Sequence, residues 1–324
     1  MRVLAMFHAY PPVHNAGAEW DAHTLLRATV QAGHEVDVQL SQPIVGIKND
    51  YALDGVKVHV HRDKRDPFRW LPTADVIVTH LENTPRATIL GHQARIPVVH
   101  RLHNTFKPTK RWLQSPGVRF AVANSQWMAD EMRTPGVPML VVRPPVNPTD
   151  YATTPGDRVT LVNLYASKGG QHFWHIAEKL PDVQFLAVKG GYGEQEIPDQ
   201  LPANVELVEN TPDMREQVYA RTKILLMPSD YESWGRVGVE AMASGIPVIA
   251  NPTQGLLESL GDAGTFIDRD DTPAWCEAIT KLLKPRSWST ASKKAKARSA
   301  ELDPSRDLNT WVSGLQNLTT LPRR

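Results

Sequence analysis

The chain has 324 residues, 41% of them hydrophobic, with 36 Lys and Arg balanced by 35 Asp and Glu; at roughly 100–200 residues per domain it should form two domains with ample core. The formal net charge of +1 argues against a surface built mainly for polyanions, and the single Cys276 excludes an internal disulfide and fits a reducing cytoplasm, the expected location. No apolar run approaches the roughly 20 residues of a membrane span, so any membrane contact should be peripheral.

Met1–Phe7 reads as a first buried strand, because His8 and the Pro11-Pro12 pair end the apolar run too early for a signal sequence. Further Val- and Ile-rich strands are predicted at 35–40, 56–61, 74–80, 97–102 and 118–123. The pattern over 18–32 predicts a helix ending at Gly33, and Ser125 is placed to cap another that runs to about 133. Six prolines between 134 and 157 mark an extended connection with one short strand near 139–142. Alternation then restarts, with strands near 158–163, 183–189, 204–208, 222–227, 246–250 and 264–267. Helices fall near 169–180, 212–221, 236–244, 254–260 and 272–283. A basic helical stretch (Lys293, Lys294, Lys296, Arg298) and an amphipathic segment over 305–318 close the chain.

Alternation of this kind predicts α/β architecture with parallel sheets: two doubly wound, Rossmann-like domains facing a cleft. The expected boundaries are 1–145, 146–302 and a C-terminal helix over 303–324 that returns to the first domain. Ligands of such sheets bind beyond the carboxyl ends of the strands, so chemistry should sit in the strand-to-helix loops.

One segment concentrates such chemistry. After the strand ending at Met227 come a polar loop with Glu232, Ser233, Trp234 and Gly235, a helix from Arg236 that carries Glu240, and a stop at Gly245. Gly235 allows close backbone approach, the helix start suits a diphosphate, and two carboxylates can accept bonds from vicinal hydroxyls. The plain alternative is an exposed Glu232 and an i,i+4 surface pair, Arg236–Glu240. Asn163–Gly170 likewise leaves a strand and opens a helix, with Lys168 and Gly169 suited to a phosphate.

With its flanks, Pro228-Ser229 before and Glu240-Ala241-Met242-Ala243 through Gly245 and Pro247-Val248 after, this segment resembles the retaining GT-B glycosyltransferases with a Glu-x7-Glu motif, the family 4 type or glycosyl transferases group 1. The loop Tyr10–Glu19 is similar to that family's Pro-Pro…Gly-Gly-x-Glu loop, with Ala16 at the first Gly and Gly17 as the close-approach residue. The resemblance implies that Glu232, with Ser233 and Trp234 in its loop, contacts the donor sugar and that Glu240 holds the ribose. It implies that Gly17, Lys168, Gly169, Gly235 and Arg236 serve the diphosphate, and that His103, just beyond a strand, contacts the transferred sugar. Asn163 stands where the family has Arg, so Arg236 is the candidate replacement. Asn210 lies where the family reads the base, with UDP and GDP unresolved.

The implied activity is metal-independent, cofactor-free retaining transfer of a hexose-type sugar from a nucleotide diphosphate sugar to a hydroxyl acceptor of unknown class, with oligomeric state unread. A non-catalytic nucleotide-sugar or glycan-binding module and a nucleotide-sugar epimerase are the alternatives. The missing Gly-x-Gly-x-x-Gly after the first strand counts against a dinucleotide oxidoreductase. No metal site is expected: Asp268-Arg269-Asp270 reads as a surface turn, His59 and His61 as a solvated edge, and the basic 293–298 run as a solvated helix face.

Overall fold

The computed structural model describes residues 1–43, 47, 49–63 and 69–319. The chain divides into two units, Met1–Pro145 together with the C-terminal segment from Pro304, and Val146–Asp303.

The first unit carries strands β1 (Arg2–Phe7), β2 (Glu35–Leu40), β3 (Tyr51–Leu53), β4 (Val56–His59), β5 (Val76–His80), β6 (Val98–Arg101), β7 (Val118–Ala123) and β8 (Met139–Val141). They form one sheet in the order β3-β4-β2-β1-β5-β6-β7-β8. Among the described strands only β3 pairs antiparallel, with β4. Alternation along β1 explains why the strand is apolar throughout. Val3, Ala5 and Phe7 join the core shared with Leu25, Leu26 and Trp311, while Leu4 and Met6 point to the opposite face against Ile77, Leu90 and Ile96. The helix Ser305–Thr319 belongs to this unit. Trp311 and Leu315 enter its core, the Trp311 indole donates to Thr29 Oγ1 at 2.9 Å, and Asp307 binds Arg143 at 2.6 Å.

The second unit has β9 (Arg158–Val162), β10 (Phe185–Val188), β11 (Val205–Val208), β12 (Thr222–Met227), β13 (Val248–Ala250) and β14 (Gly264–Phe266), in the order β11-β10-β9-β12-β13-β14 and all parallel. The strand order reverses between β9 and β12 here, and between β1 and β5 in the first unit. Such switch points leave a crevice at the carboxyl ends of two neighbouring strands.

Four expectations need correction. Strand β3 has no counterpart among the predicted strands; it pairs through a turn whose Asp54 and Gly55 both have positive φ, at 49° and 82°, the geometry of a tight hairpin. β3 lies outside β4, so His59 is no solvated edge: it is buried, stacked on Trp70, and its ring nitrogens bond Asp37 at 2.8 Å and Asp50 at 3.1 Å. Ser125 precedes the helix Gln126–Glu131 without a side-chain cap bond. The basic run is not wholly solvated either. Arg298, on the helix Pro285–Glu301, donates to the carbonyls of Glu258 (2.7 Å) and Ser259 (3.0 Å) at the end of the helix Gln254–Leu260, where a cation opposes the helix dipole.

Candidate functional site

The loops after β9 and β12 carry the polar constellation of the second unit, and they interlock at its switch point. After β9, Asn163 adopts the left-handed region (φ 73°) and its Oδ1 accepts from the Tyr165 amide at 3.1 Å, which turns the chain out of the sheet. A 3-10 turn over Ala166–Lys168 leads to Gly169 at φ 86°, and the helix Gly170–Lys179 follows. A Cβ on Gly169 would lie 2.6 Å from Pro228 Cγ, so only glycine lets this loop seat against the one after β12. The Asp230 amide donates to Ser167 O at 2.9 Å across the same contact.

Lys168 and Glu232 meet here, Nζ to Oε1 at 2.7 Å, with side chains 20% and 14% exposed. Ser229 Oγ donates to the same Oε1 at 2.9 Å. Burial alone would pull the Lys168 ammonium down, but the Glu232 carboxylate more than offsets it and holds its pKa above the ordinary lysine value. The Lys168 ammonium therefore keeps its charge where it meets Glu232, two residues before the helix Gly170–Lys179.

Gly235, at φ 84°, opens the helix Arg236–Ala243, which carries Glu240. Glu240 is 5% exposed and is held from two sides: Arg236 Nε donates to Oε1 at 2.6 Å and Tyr219 OH to Oε2 at 2.7 Å. Arg236 also donates to Tyr151 OH at 2.9 Å. The i,i+4 pair is thus real but buried, at 9% and 7% side-chain exposure, with Arg236 bonded to both Glu240 and Tyr151. Carboxylate oxygens offer about four acceptor positions; two are used, which leaves two for vicinal hydroxyls.

Trp234 departs from the sequence reading. It is 2% exposed and packs with Val146, Val239 and Leu302, so its ring is not open for stacking on a sugar. Ser233 is half-buried in the same loop, and Asn210 is exposed, its amide 3.4 Å from Lys189 O. The Asp268–Asp271 run caps its own turn and the helix that follows. Asp268 accepts from the Asp270 amide, Asp271 accepts from the Ala274 amide at the start of the helix Thr272–Leu282, and Arg269 ties Asp230 (3.0 Å) to Ala166 O (2.6 Å). Sequence reasoning missed Tyr219, Tyr151, Arg269 and Gly255. A Cβ on Gly255 would lie 2.2 Å from Glu232 O, so that glycine seats the motif loop; nothing local in the sequence marks the other three.

In the first unit, Gly17 opens the helix Gly17–Gln31, and a Cβ there would meet nothing within 4 Å, so the protein itself makes no steric demand for glycine. His103 lies beyond β6, 10% exposed, with Nε2 3.0 Å from His80 Nδ1 and Nδ1 4.0 Å from Asp21 Oδ2. Burial chiefly depresses its pKa to about 4, Asp21 opposing and Arg101 adding, so the ring is neutral. His100 is fully buried beside Thr84, as a core histidine, its pKa pushed down to about 3 by burial. Arg101 is 1% exposed and makes a bidentate pair with Asp21 at 2.8 and 3.0 Å.

With this geometry in hand, residues 163–285 match the family model described as Glycosyl transferases group 1, and this stretch is such a domain. The chain is 33% identical over 131 residues to D-inositol 3-phosphate glycosyltransferase of Mycolicibacterium smegmatis, covering 36% of this chain and 30% of that protein. It is 37% identical over 71 residues to O-antigen chain mannosyltransferase B of Escherichia coli, covering 22% and 19%. The chain thus spans less than a third of the length of these curated relatives. Among solved structures it resembles sucrose-phosphate synthase from Thermosynechococcus elongatus, with TM-score 0.76 at 17% identity over 98% of both chains. It also resembles Anabaena HepE in complex with UDP-glucose, with TM-score 0.76 at 18% identity over 99% of this chain and 100% of that one. The fold is therefore α/β with two Rossmann-like domains of the GT-B kind.

Proposed function

We propose that the protein is a retaining glycosyltransferase that moves a hexose-type sugar from a nucleoside diphosphate sugar to a hydroxyl acceptor. The observation that carries this reading is the pairing of Lys168 with Glu232 at the switch point of the second unit, one helix away from the doubly held Glu240. The group 1 match over 163–285 supports it, as does the complex of the structural neighbour HepE with UDP-glucose. In this reading Glu240 takes the ribose hydroxyls with its two remaining acceptor positions, and Glu232 orients the sugar. Lys168 and the starts of the helices Gly170–Lys179 and Arg236–Ala243 stabilise the departing diphosphate, which at the first helix takes the place of the Glu196 carboxylate that accepts from the Gln171 amide at 3.0 Å; this charge balance calls for no metal on the phosphates. The bond from the anomeric carbon to the phosphate oxygen breaks, and the acceptor oxygen bonds the same face. The acceptor proton passes to the departing phosphate, so configuration is retained without a protein nucleophile.

The first unit is assigned the acceptor, whose chemical class the residues leave open. No described helix is long and apolar enough to cross a membrane. The single cysteine fits a reducing compartment, and the reaction is assigned to the cytoplasm on that ground. The test is nucleotide release from a panel of UDP- and GDP-sugars, compared with Lys168→Met. Release that the substitution abolishes is expected. Binding without release across the panel would replace this reading with a non-catalytic nucleotide-sugar module.

A further inference from the structure

The first unit holds a second constellation that the donor chemistry does not use. His8 directly follows β1, His80 ends β5, and Glu19 lies in the first turn of the helix Gly17–Gln31. These elements meet at the switch point of the first sheet, where a doubly wound sheet opens its crevice. Among the described residues, His8, Glu19 and His80 bring one donor atom each to within 4.8 Å of one another. Two of their ring nitrogens are buried without a hydrogen-bond partner, His8 Nδ1 and His80 Nε2. His80 is fully buried and Glu19 is 2% exposed. Buried polar atoms are ordinarily satisfied, so an orphan lone pair on a fully buried imidazole points to a ligand. Glu19 Oε1 stands 3.3 Å from His8 Nε2, and the exposed Glu82 is 3.7 Å from His8 Nδ1, beyond hydrogen-bond reach.

The surroundings set the His80 tautomer. Arg101 grips Asp21 from both sides, and Asp21 faces His103 Nδ1 at 4.0 Å. That carboxylate favours the proton on His103 Nδ1, which leaves Nε2 as the acceptor. His80 Nδ1, 3.0 Å away, is then the donor, and His80 Nε2 is left as a buried lone pair without a partner, on a ring that brings a donor atom within 4.8 Å of Glu19 and His8. A ring that donates its far N–H to a carboxylate-backed partner is the usual outer arrangement of a metal-bound histidine.

We infer that His8, Glu19 and His80 form a site for a divalent cation of the zinc class, bound by two imidazoles and one carboxylate with a coordination position left open. Ligand bonds of about 2.0–2.2 Å put donors roughly 3.4 Å apart in a tetrahedral shell, so closure of the order of 1 Å completes the shell. Two neutral imidazoles and one carboxylate suit zinc and cobalt better than magnesium or calcium, which take oxygen ligands. Asp37 and Asp50 engage both nitrogens of His59, so that residue does not compete. The inference stands independently of the sugar-transfer reading, because it concerns binding alone.

The experiment is titration of the full chain, stripped with chelator, with cobalt(II) chloride, followed by visible absorption, and with zinc chloride by calorimetry. One equivalent should bind with the intense d–d bands of a four- or five-coordinate nitrogen–oxygen site. Glu19→Gln and His8→Gln should each weaken binding at least about tenfold, with unchanged circular dichroism in the absence of metal. His103→Phe, which removes only the outer support, should weaken it by about 10–100-fold. The bands should also be lost in His80→Gln; if that variant fails to fold, the other two substitutions decide. Absent binding, or one-equivalent binding whose affinity survives both Glu19→Gln and His8→Gln, overturns the site.

Discussion

Replacing Glu232 by Gln should tighten the binding of a bare nucleoside diphosphate while abolishing sugar transfer. In the structure the Lys168 ammonium is neutralised by Glu232 at 2.7 Å, and the carboxylate is further held by Ser229. A diphosphate arriving at the start of the helix Gly170–Lys179 must compete for that ammonium and also face the carboxylate as a like charge. The pair is less exposed than a surface bridge, whose worth is about 0.2–1 kcal/mol, and less enclosed than a buried one, whose rupture costs about 3–5 kcal/mol. An intermediate of about 1–2 kcal/mol is released when the amide replaces the carboxylate, which corresponds to about 5- to 30-fold in affinity. Calorimetric titration with UDP and GDP measures it, with Lys168→Met as the control of opposite sign. The same variant should lose transfer, because the amide orients the sugar without the charge that answers the developing oxocarbenium centre. An unchanged or weaker dissociation constant in Glu232→Gln would refute the competition on which the reasoning rests.

Tyr219→Phe removes one buried bond to the Glu240 carboxylate, worth about 1.5–3 kcal/mol for a charged acceptor; the melting temperature should fall by roughly 3–12 °C, and discrimination between ribo- and 2′-deoxyribonucleotides should shrink. Trp234→Ala should cost about 3–5 kcal/mol in urea denaturation, whereas Trp234→Phe should leave donor affinity intact, because the indole Nε1 has no partner to lose; a large loss of affinity in the Phe variant would restore a role in donor binding. Breaking the Arg101–Asp21 pair by Arg101→Met strands a buried carboxylate and should cost about 3–5 kcal/mol, with Asp21→Asn in the same chain recovering part of it. Asp37 titrates below its ordinary 3.8: burial alone would raise it, but His59 and Arg2 outweigh burial. Its stabilisation is therefore present above the unfolded value and lost as pH falls through the lower folded value, so acid denaturation below about pH 4 should be steeper in wild type than in Asp37→Asn.

The parallel sheets were legible because strands buried on both faces appear as unbroken Val, Ile and Leu runs, as in β5 and β12. Strand β3 was not, since a run of three residues, with Ala52 exposed between half-buried Tyr51 and Leu53, is too short to establish a period; the Asp54-Gly55 turn was the available signal. At the site, Lys168, Glu232 and Glu240 could be chosen from sequence, and the Arg236–Glu240 spacing was visible as a helical pair. Its burial was not visible, because Tyr219 and Tyr151 come from elsewhere in the chain. Trp234 illustrates the same limit. Its place in the motif loop suggests exposure, but Val146 and Leu302, far away along the chain, close over it.

The motif is therefore half of a device. Lys168 and Glu232 are 64 positions apart in sequence, yet the loops that hold them touch at three kinds of contact: Gly169 against Pro228, the Asp230 amide on Ser167 O, and the ion pair itself. Arg269 adds a fourth tie, linking Asp230 to Ala166 O, and Gly255 presses the Glu232 backbone from the far side. The strand order makes this economical. β9 and β12 are adjacent in the sheet while their following helices diverge to opposite faces, so their loops both meet each other and leave a crevice between helix starts. The charges at this point are thus set by backbone contacts that need glycine and by a buried arginine and two tyrosines behind the second glutamate. That division of labour explains why the spacing of two glutamates alone is a weak signal, whereas two glutamates with Lys168 and the glycines that seat them converge on one switch point of the sheet.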